Sequence, residues 1–158
     1  MASIIVGMAD LRACKAPDTL TTLGLGSCVG ICLYDGNRKI IGMAHIMLPD
    51  SSGYAGQNRA KFADSAAVEL LQLMMSLGAN RAALVAKLAG GAHMFSGSTN
   101  NVLKVGERNV AACQRALAQL RIPVKASDTG GTHGRTIELL PDTGNLRIRT
   151  VGAGEKVI

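Results

Sequence analysis

Aromatic residues are nearly missing from this chain of 158 residues, which has two Phe, two Tyr and no Trp. A surface that stacks bases on aromatic rings cannot be assembled from so few. The scattered basic residues behind the net charge of +6 therefore do not point to nucleic acid. Long apolar runs are missing too. Nothing approaches the roughly 20 apolar residues of a membrane span. The stretch Met1–Gly7 has neither the cationic flank nor the length of a secretory signal. The expectation is a cytoplasmic protein without membrane insertion. Four cysteines (Cys14, Cys28, Cys32, Cys113) do not make a disulfide framework in that compartment. Cys28-x3-Cys32 also lacks the second matched pair of a zinc site, so neither a metal nor an organic cofactor is expected. The excess of 17 basic over 11 acidic residues fits an acidic protein partner, or serves solubility alone.

What the chain does have is 47% hydrophobic residues and 19 glycines. That apolar content suffices for one sizeable core, so one domain over residues 1–158 is expected. Apolar alternation and turn signals predict strands near 3–7, 19–23, 28–34, 39–47, 83–89, 123–127, 135–140 and 146–151. Spacing of 3.6 residues predicts two helices. One covers about 59–77, with Ala63, Ala66, Leu70, Leu73, Met74 and Leu77 on one stripe and Gly78 as its stop. The other covers about 107–120, with Val110, Cys113, Leu117 and Leu120 facing inward. Strands outnumber helices and include hairpins. The class is α+β, with mostly antiparallel, sandwich-like sheet layers flanked by helices.

Two short stretches carry chemistry. Thr22–Cys28 leads into the apolar run Val29–Tyr34, and His45 lies within a second run, Ile40–Leu48. Between them Asp35-Gly36-Asn37-Arg38 is strong hairpin chemistry, because Gly and Asn accept positive φ. With Gly36-Asn37 as a two-residue loop, paired residue numbers sum to 73 and Cys28 stands opposite His45. A loop closed at Tyr34 and Asn37 gives a sum of 71 and leaves the pair diagonal; a one-residue slip separates them onto opposite faces. A thiol and an imidazole sharing a face can exchange a proton, the first requirement of an activated cysteine. A buried cysteine and a core histidine on adjacent strands is the commoner arrangement. Gly24, Gly26 and Gly30 flank the cysteine and would let backbone amides approach a carbonyl oxygen, or form only a tight turn. Thr22, in a strand that could lie beside the hairpin, could hold the imidazole in one tautomer. His93 and His133, each in a glycine-rich loop, are rival bases; those loops could equally cradle a phosphate, though neither matches a phosphate-binding fingerprint.

The stretches T-L-G-L-G-S-C at 22–28, A-H-x-M-L-P at 44–49, A-K-L-A-G-G-A-x-M-F at 86–95, G-E-R-N at 106–109 and D-T-G-G at 128–131, followed by Gly134-Arg135, resemble the CheD family of chemotaxis proteins. The resemblance runs in order over nearly the whole chain; Ala89 stands where the family often has an aromatic. It implies a fold similar to the catalytic domain of cytotoxic necrotizing factor toxins. It also implies a hydrolase that converts glutamine side chains to glutamate on the cytoplasmic helices of methyl-accepting chemotaxis receptors. The family's catalytic Cys, His and Thr fall on Cys28, His45 and Thr22. Gly26 and Ser27 would then support the oxyanion, and Gly90, Gly91, Arg108 and Asn109 would line the substrate cleft. The resemblance further implies binding to CheC, the phosphatase of phosphorylated CheY. A non-enzymatic adaptor of CheC is thus the alternative to an amidohydrolase.

Overall fold

Each strand of the fold alternates faces, and two sheets share one apolar layer between them. The computed structural model describes residues 1–54, 56–94 and 104–158. In chain order the strands are β1 (Ser3–Ile5), β2 (Leu11–Lys15), β3 (Thr19–Leu25), β4 (Val29–Asp35), β5 (Ile40–Ile46), β6 (Leu84–Gly90), β7 (Val124–Thr129), β8 (Arg135–Leu139), β9 (Leu146–Thr150) and β10 (Gly154–Val157). The helices are α1 (Ala63–Ser76), between β5 and β6, and α2 (Val105–Gln119), before β7. One sheet has the order β2-β5-β4-β6-β7 and the other β1-β3-β8-β9-β10. Two of the pairings, β1 with β3 and β6 with β7, are parallel, so both sheets are mixed; the rest are antiparallel. The α+β class stands. No helix among the described residues is long and apolar enough to cross a membrane.

The central strand β4 is apolar on both faces because both are covered. Val29, Ile31 and Leu33 face the helices, packing with Leu70, Met74, Cys113 and Leu117. Cys32, two residues from Gly30 on the other face, joins Leu20, Leu25, Met43, Ile137 and Ile148 between the sheets. The molecule is thus three layers: helices, central sheet, second sheet. Truncating Leu70, fully buried between the first two, is expected to cost about 2–5 kcal/mol.

Four details differ from the sequence reading. β4 and β5 pair with residue numbers summing to 75, Gly30 opposite His45 and Asp35 opposite Ile40. The cause is Asp35, whose carboxylate accepts the N–H groups of Asn37 (3.0 Å), Arg38 (3.1 Å) and, from across the fold, Asn80 (2.8 Å). Those bonds, with Lys39 at φ +55°, set a four-residue turn in place of a two-residue one. The first helix begins at Ala63 because extended Phe62 (ψ 139°) separates it from a short 3-10 turn at Arg59–Lys61. Its stop at Gly78, φ +103°, is where the sequence puts it. The strands β2 and β10 go unread in the sequence: β2 is half-polar and β10 is exposed along its whole length.

Candidate active site

The site lies at one end of the layer between the sheets, and His45 is its best-held member. On the backbone, His45 N–H donates to Asp10 O (3.0 Å) and its carbonyl accepts from Ala9 N–H (3.0 Å). Its ladder partner is Gly30, where a Cβ would press on Ile137 of the second sheet at 2.7 Å. A side chain there would have to displace the end of Ile137, so glycine gives the two sheets room to close opposite the imidazole. Thr22 reaches the ring from the second sheet, across the layer and not from beside the hairpin. Neither Thr22 nor His45 retains exposed surface.

The hydrogen bonds decide the tautomer. Thr22 Oγ1 lies 2.6 Å from Val6 O and 2.7 Å from His45 Nδ1. A carbonyl only accepts, so the single hydroxyl proton goes to Val6 O. Nδ1 must then carry the proton it donates to Thr22 Oγ1. Nε2 is left as a bare lone pair, and among the described residues it has no hydrogen-bond partner. Burial also holds the imidazole pKa below its ordinary 6.5. The result is a neutral imidazole with an unoccupied base.

Cys28 sits two residues before Gly30, so it is a diagonal neighbour of His45 on the same face, a relation of roughly 7–8 Å between ladder positions. Burial raises its thiol above 9.0, with its own backbone N–H working in the opposite direction. Thiol and imidazole are therefore both neutral at rest near pH 7. Cys28 keeps 8% of its surface, whereas Cys32, on the same strand, keeps none and is pushed up to about 12. Cys14 is pushed up to about 11 by burial and by Asp18, and Cys113 is raised by burial within the helix-side core.

The turn that carries Cys28 is fixed through its carbonyls. Gly26 O accepts from Ala92 N–H (2.8 Å), Cys28 O from Gly91 N–H (2.9 Å) and Ser27 O from Asn109 Nδ2 (2.9 Å). Among the described residues no backbone carbonyl accepts the N–H of Ser27 or Cys28. Gly90 (φ +111°) and Gly91 (φ +67°) lie so close beneath that a Cβ on Gly90 would collide with Cys28 O, and one on Gly91 with Val110. Gly90, Gly91 and Asn109 are therefore buried supports of this turn, while Arg108 of the same motif is exposed. Phe95, the last residue of the motif at 86–95, lies outside the described residues.

Of the rival histidines, His93 borders the Cys28 turn, between Ala92, whose N–H holds Gly26 O, and Met94, whose side chain lies against Gly26, while His133 is exposed in the other glycine-rich loop. The backbone N–H of His93 donates to Gly131 O (2.8 Å), and Nδ1 of exposed His133 is 3.2 Å from Thr132 Oγ1. The two glycine-rich loops hold each other: Gly130 N–H and Arg135 donate to Gly90 O, and Arg135 pairs with Asp128 at 3.0 Å. A groove of about 280 Å³ lined by Thr21, Leu23, Thr136 and Arg147 lies on the outer face of the second sheet, opposite to the face that Thr22 presents. Sequence reasoning missed the Val6 carbonyl, which takes the Thr22 proton. A backbone acceptor carries no residue-type signal.

Comparison with known proteins agrees with the motifs. The family model for CheD chemotactic sensory transduction matches residues 47–150. The probable chemoreceptor glutamine deamidase CheD of Lachnoclostridium phytofermentans is 55% identical over 157 residues, 98% of each chain. The chemoreceptor glutamine deamidase CheD of Halalkalibacterium halodurans is 54% identical, covering 97% of this chain and 96% of its own. That of Bacillus subtilis is 49% identical, covering 98% and 95%. Among solved structures, the Bacillus licheniformis hypothetical protein YfiH aligns over 70% of this chain and 46% of its own, with a TM-score of 0.45 and 15% identity, a likeness too slight to bear on fold or function. On the family match and the near full-length relatives, the chain belongs to the CheD family.

Proposed function

We propose that this chain deamidates glutamine side chains of chemotaxis receptors, with Cys28 as nucleophile and His45 as general base and acid. The observation that carries the proposal is the lone pair on His45 Nε2, left without a partner because the Thr22 proton is committed to Val6 O. The names of the near full-length relatives support the substrate class.

The chemistry follows from the groups present. Nε2 takes the Cys28 proton as the thiolate attacks Cδ of the glutamine amide. The negative charge that gathers on the amide oxygen meets the N–H groups of Ser27 and Cys28, whose neighbouring carbonyls are already engaged. The imidazolium gives its proton to the departing nitrogen, and ammonia leaves a thioester. Water, deprotonated by the same Nε2, attacks the thioester and releases glutamate, and the thiol recovers its proton. A neutral resting pair suits this sequence: the charges form only once substrate has displaced water from around them.

Binding to CheC is a separate property that needs no thiol. The test incubates a receptor cytoplasmic fragment with the protein and follows glutamine-to-glutamate conversion by mass spectrometry. Conversion is expected with the wild-type chain and none with a folded Cys28→Ala variant, which still raises CheC phosphatase activity. Conversion by Cys28→Ala contradicts the mechanism.

A further inference from the structure

The β4–β5 ladder ends at Val29 and Ile46, one rung short of Cys28. That rung would pair Cys28 with Met47. In its place a side chain from a different element crosses the gap. Asn109, fully buried in α2, directs Nδ2 to Ser27 O (2.9 Å) and Met47 O (3.0 Å). Both partners are carbonyls and only accept, so the nitrogen end of the amide must face them and both of its protons are committed. One bond lands next to Cys28 and the other two residues beyond His45.

The helix that supplies Asn109 is itself seated closely. A Cβ on Gly106 would collide with Ala92 O and Gly91 O, the same segment whose N–H groups hold Gly26 O and Cys28 O. The amide is thus delivered from a rigid base. Its other end is costly: Asn109 Oδ1 is buried and has no partner among the described residues. A half-satisfied buried amide is unfavourable in a core and calls for a reason. An apolar side chain would fill the space but could not span two carbonyls, and a carboxylate would repel both.

We propose that Asn109 is a positioning residue that sets the reach between Cys28 and His45, acting through the backbone on either side of them. It does not line the substrate cleft. The proposal rests on Cys28 and His45 working as a pair. It assigns Asn109 the role of a replacement rung that keeps the strands apart at the distance where a glutamine amide can enter.

The experiment compares Asn109→Asp and Asn109→Ser with Cys113→Ala, a control buried in the same helix whose side chain packs in the helix-side core and bonds neither Ser27 O nor Met47 O. Two readouts are taken: kcat and KM for ammonia release from a receptor fragment, and the rate of Cys28 alkylation by iodoacetamide across pH, alone and combined with His45→Ala. The Asn109 variants are expected to lose about 10- to 100-fold in kcat with KM little changed, the size of effect a misplacement of about 1 Å produces. Their Cys28 alkylation should fall to the His45→Ala rate, and the double variant should be no slower than His45→Ala alone. Cys113→Ala should keep its kcat even where it loses as much thermal stability. A folded Asn109 variant with wild-type kcat, a change in KM alone, or losses that multiply with His45→Ala would overturn the proposal. If neither Asn109 variant folds, the residue is structural only and the proposal falls. Failure of the underlying pair reads differently: His45→Ala would then leave Cys28 alkylation and ammonia release untouched.

Discussion

Two buried polar side chains face the layer between the sheets, on strands either side of β4, and their surroundings are opposite in kind. Lys87 on β6 stands across from Cys32, and its Nζ is fully engaged, by Gly144 O at 2.8 Å, Ile158 O at 2.9 Å and the face of Tyr34 at 5.3 Å. Burial lowers its pKa, while nearby Cys32 works to raise it. His45, across from Gly30 on β5, has one nitrogen engaged and one bare. The first arrangement closes its end of the sandwich, because every polar group has a partner. The second leaves a base unspent at the cost of stability, as functional sites commonly do. Burial by itself therefore does not separate a structural polar group from a reactive one; what sets His45 apart from Lys87 is a nitrogen left without a partner among the described residues and able to take a proton.

That contrast can be broken from either end. The largest effect is expected at the open end: His45→Ala should lower kcat for ammonia release by about 10²–10⁴-fold, the range for loss of a general base, while the fold persists. Thr22→Val keeps the shape but removes the acceptor that holds Nδ1–H. It should cost about 10- to 1000-fold in kcat, with KM little altered, in the same assay. At the closed end, Lys87→Met leaves Gly144 O without its donor and Ile158 O with the Leu146 N–H alone, and should destabilise by about 1–3 kcal/mol in urea unfolding, with kcat unchanged. If Lys87→Met instead removed activity while leaving stability intact, the two ends would not differ as described. The smallest effect concerns pH. Burial holds the folded His45 pKa below 6.5, so on acidification the unfolded chain binds a proton before the folded one does. The stability His45 contributes is thus complete above pH 6.5 and is lost as pH falls from there toward its lower folded value. The drop in Tm between about pH 7.5 and 5.5 should be smaller in His45→Gln than in the wild type; equal drops would place the imidazole in an unperturbed setting.

The sequence carried the local half of this picture. Alternation and turn residues located eight of the strands, both helices and the hairpin, and two of the registers they allowed put Cys28 and His45 on one face. The register was out of reach because it depends on Asp35 accepting from Asn80, a residue 45 positions away. Thr22 was legible as a hydroxyl of the right kind, but its approach from the second sheet depends on how the two sheets stack. Lys87 was legible only as part of a motif, and the carbonyls of the β8–β9 turn and of Ile158 make it a core residue. Asn109 was legible as part of a motif, and its two bonds to distant carbonyls give it a role in support of the Cys28 turn. What escaped the sequence in each case was a contact between segments far apart in the chain.

The central claim is that His45 presents an unprotonated Nε2 because Thr22 claims the proton on Nδ1. A long-range ¹H–¹⁵N correlation spectrum of the ¹⁵N-histidine-labelled protein at neutral pH tests it directly, with His45→Gln identifying the signals. The expected spectrum shows a neutral ring with a protonated Nδ1 and a bare Nε2, and the preference weakens in Thr22→Val. A ring protonated on Nε2, or a charged ring, would contradict the account.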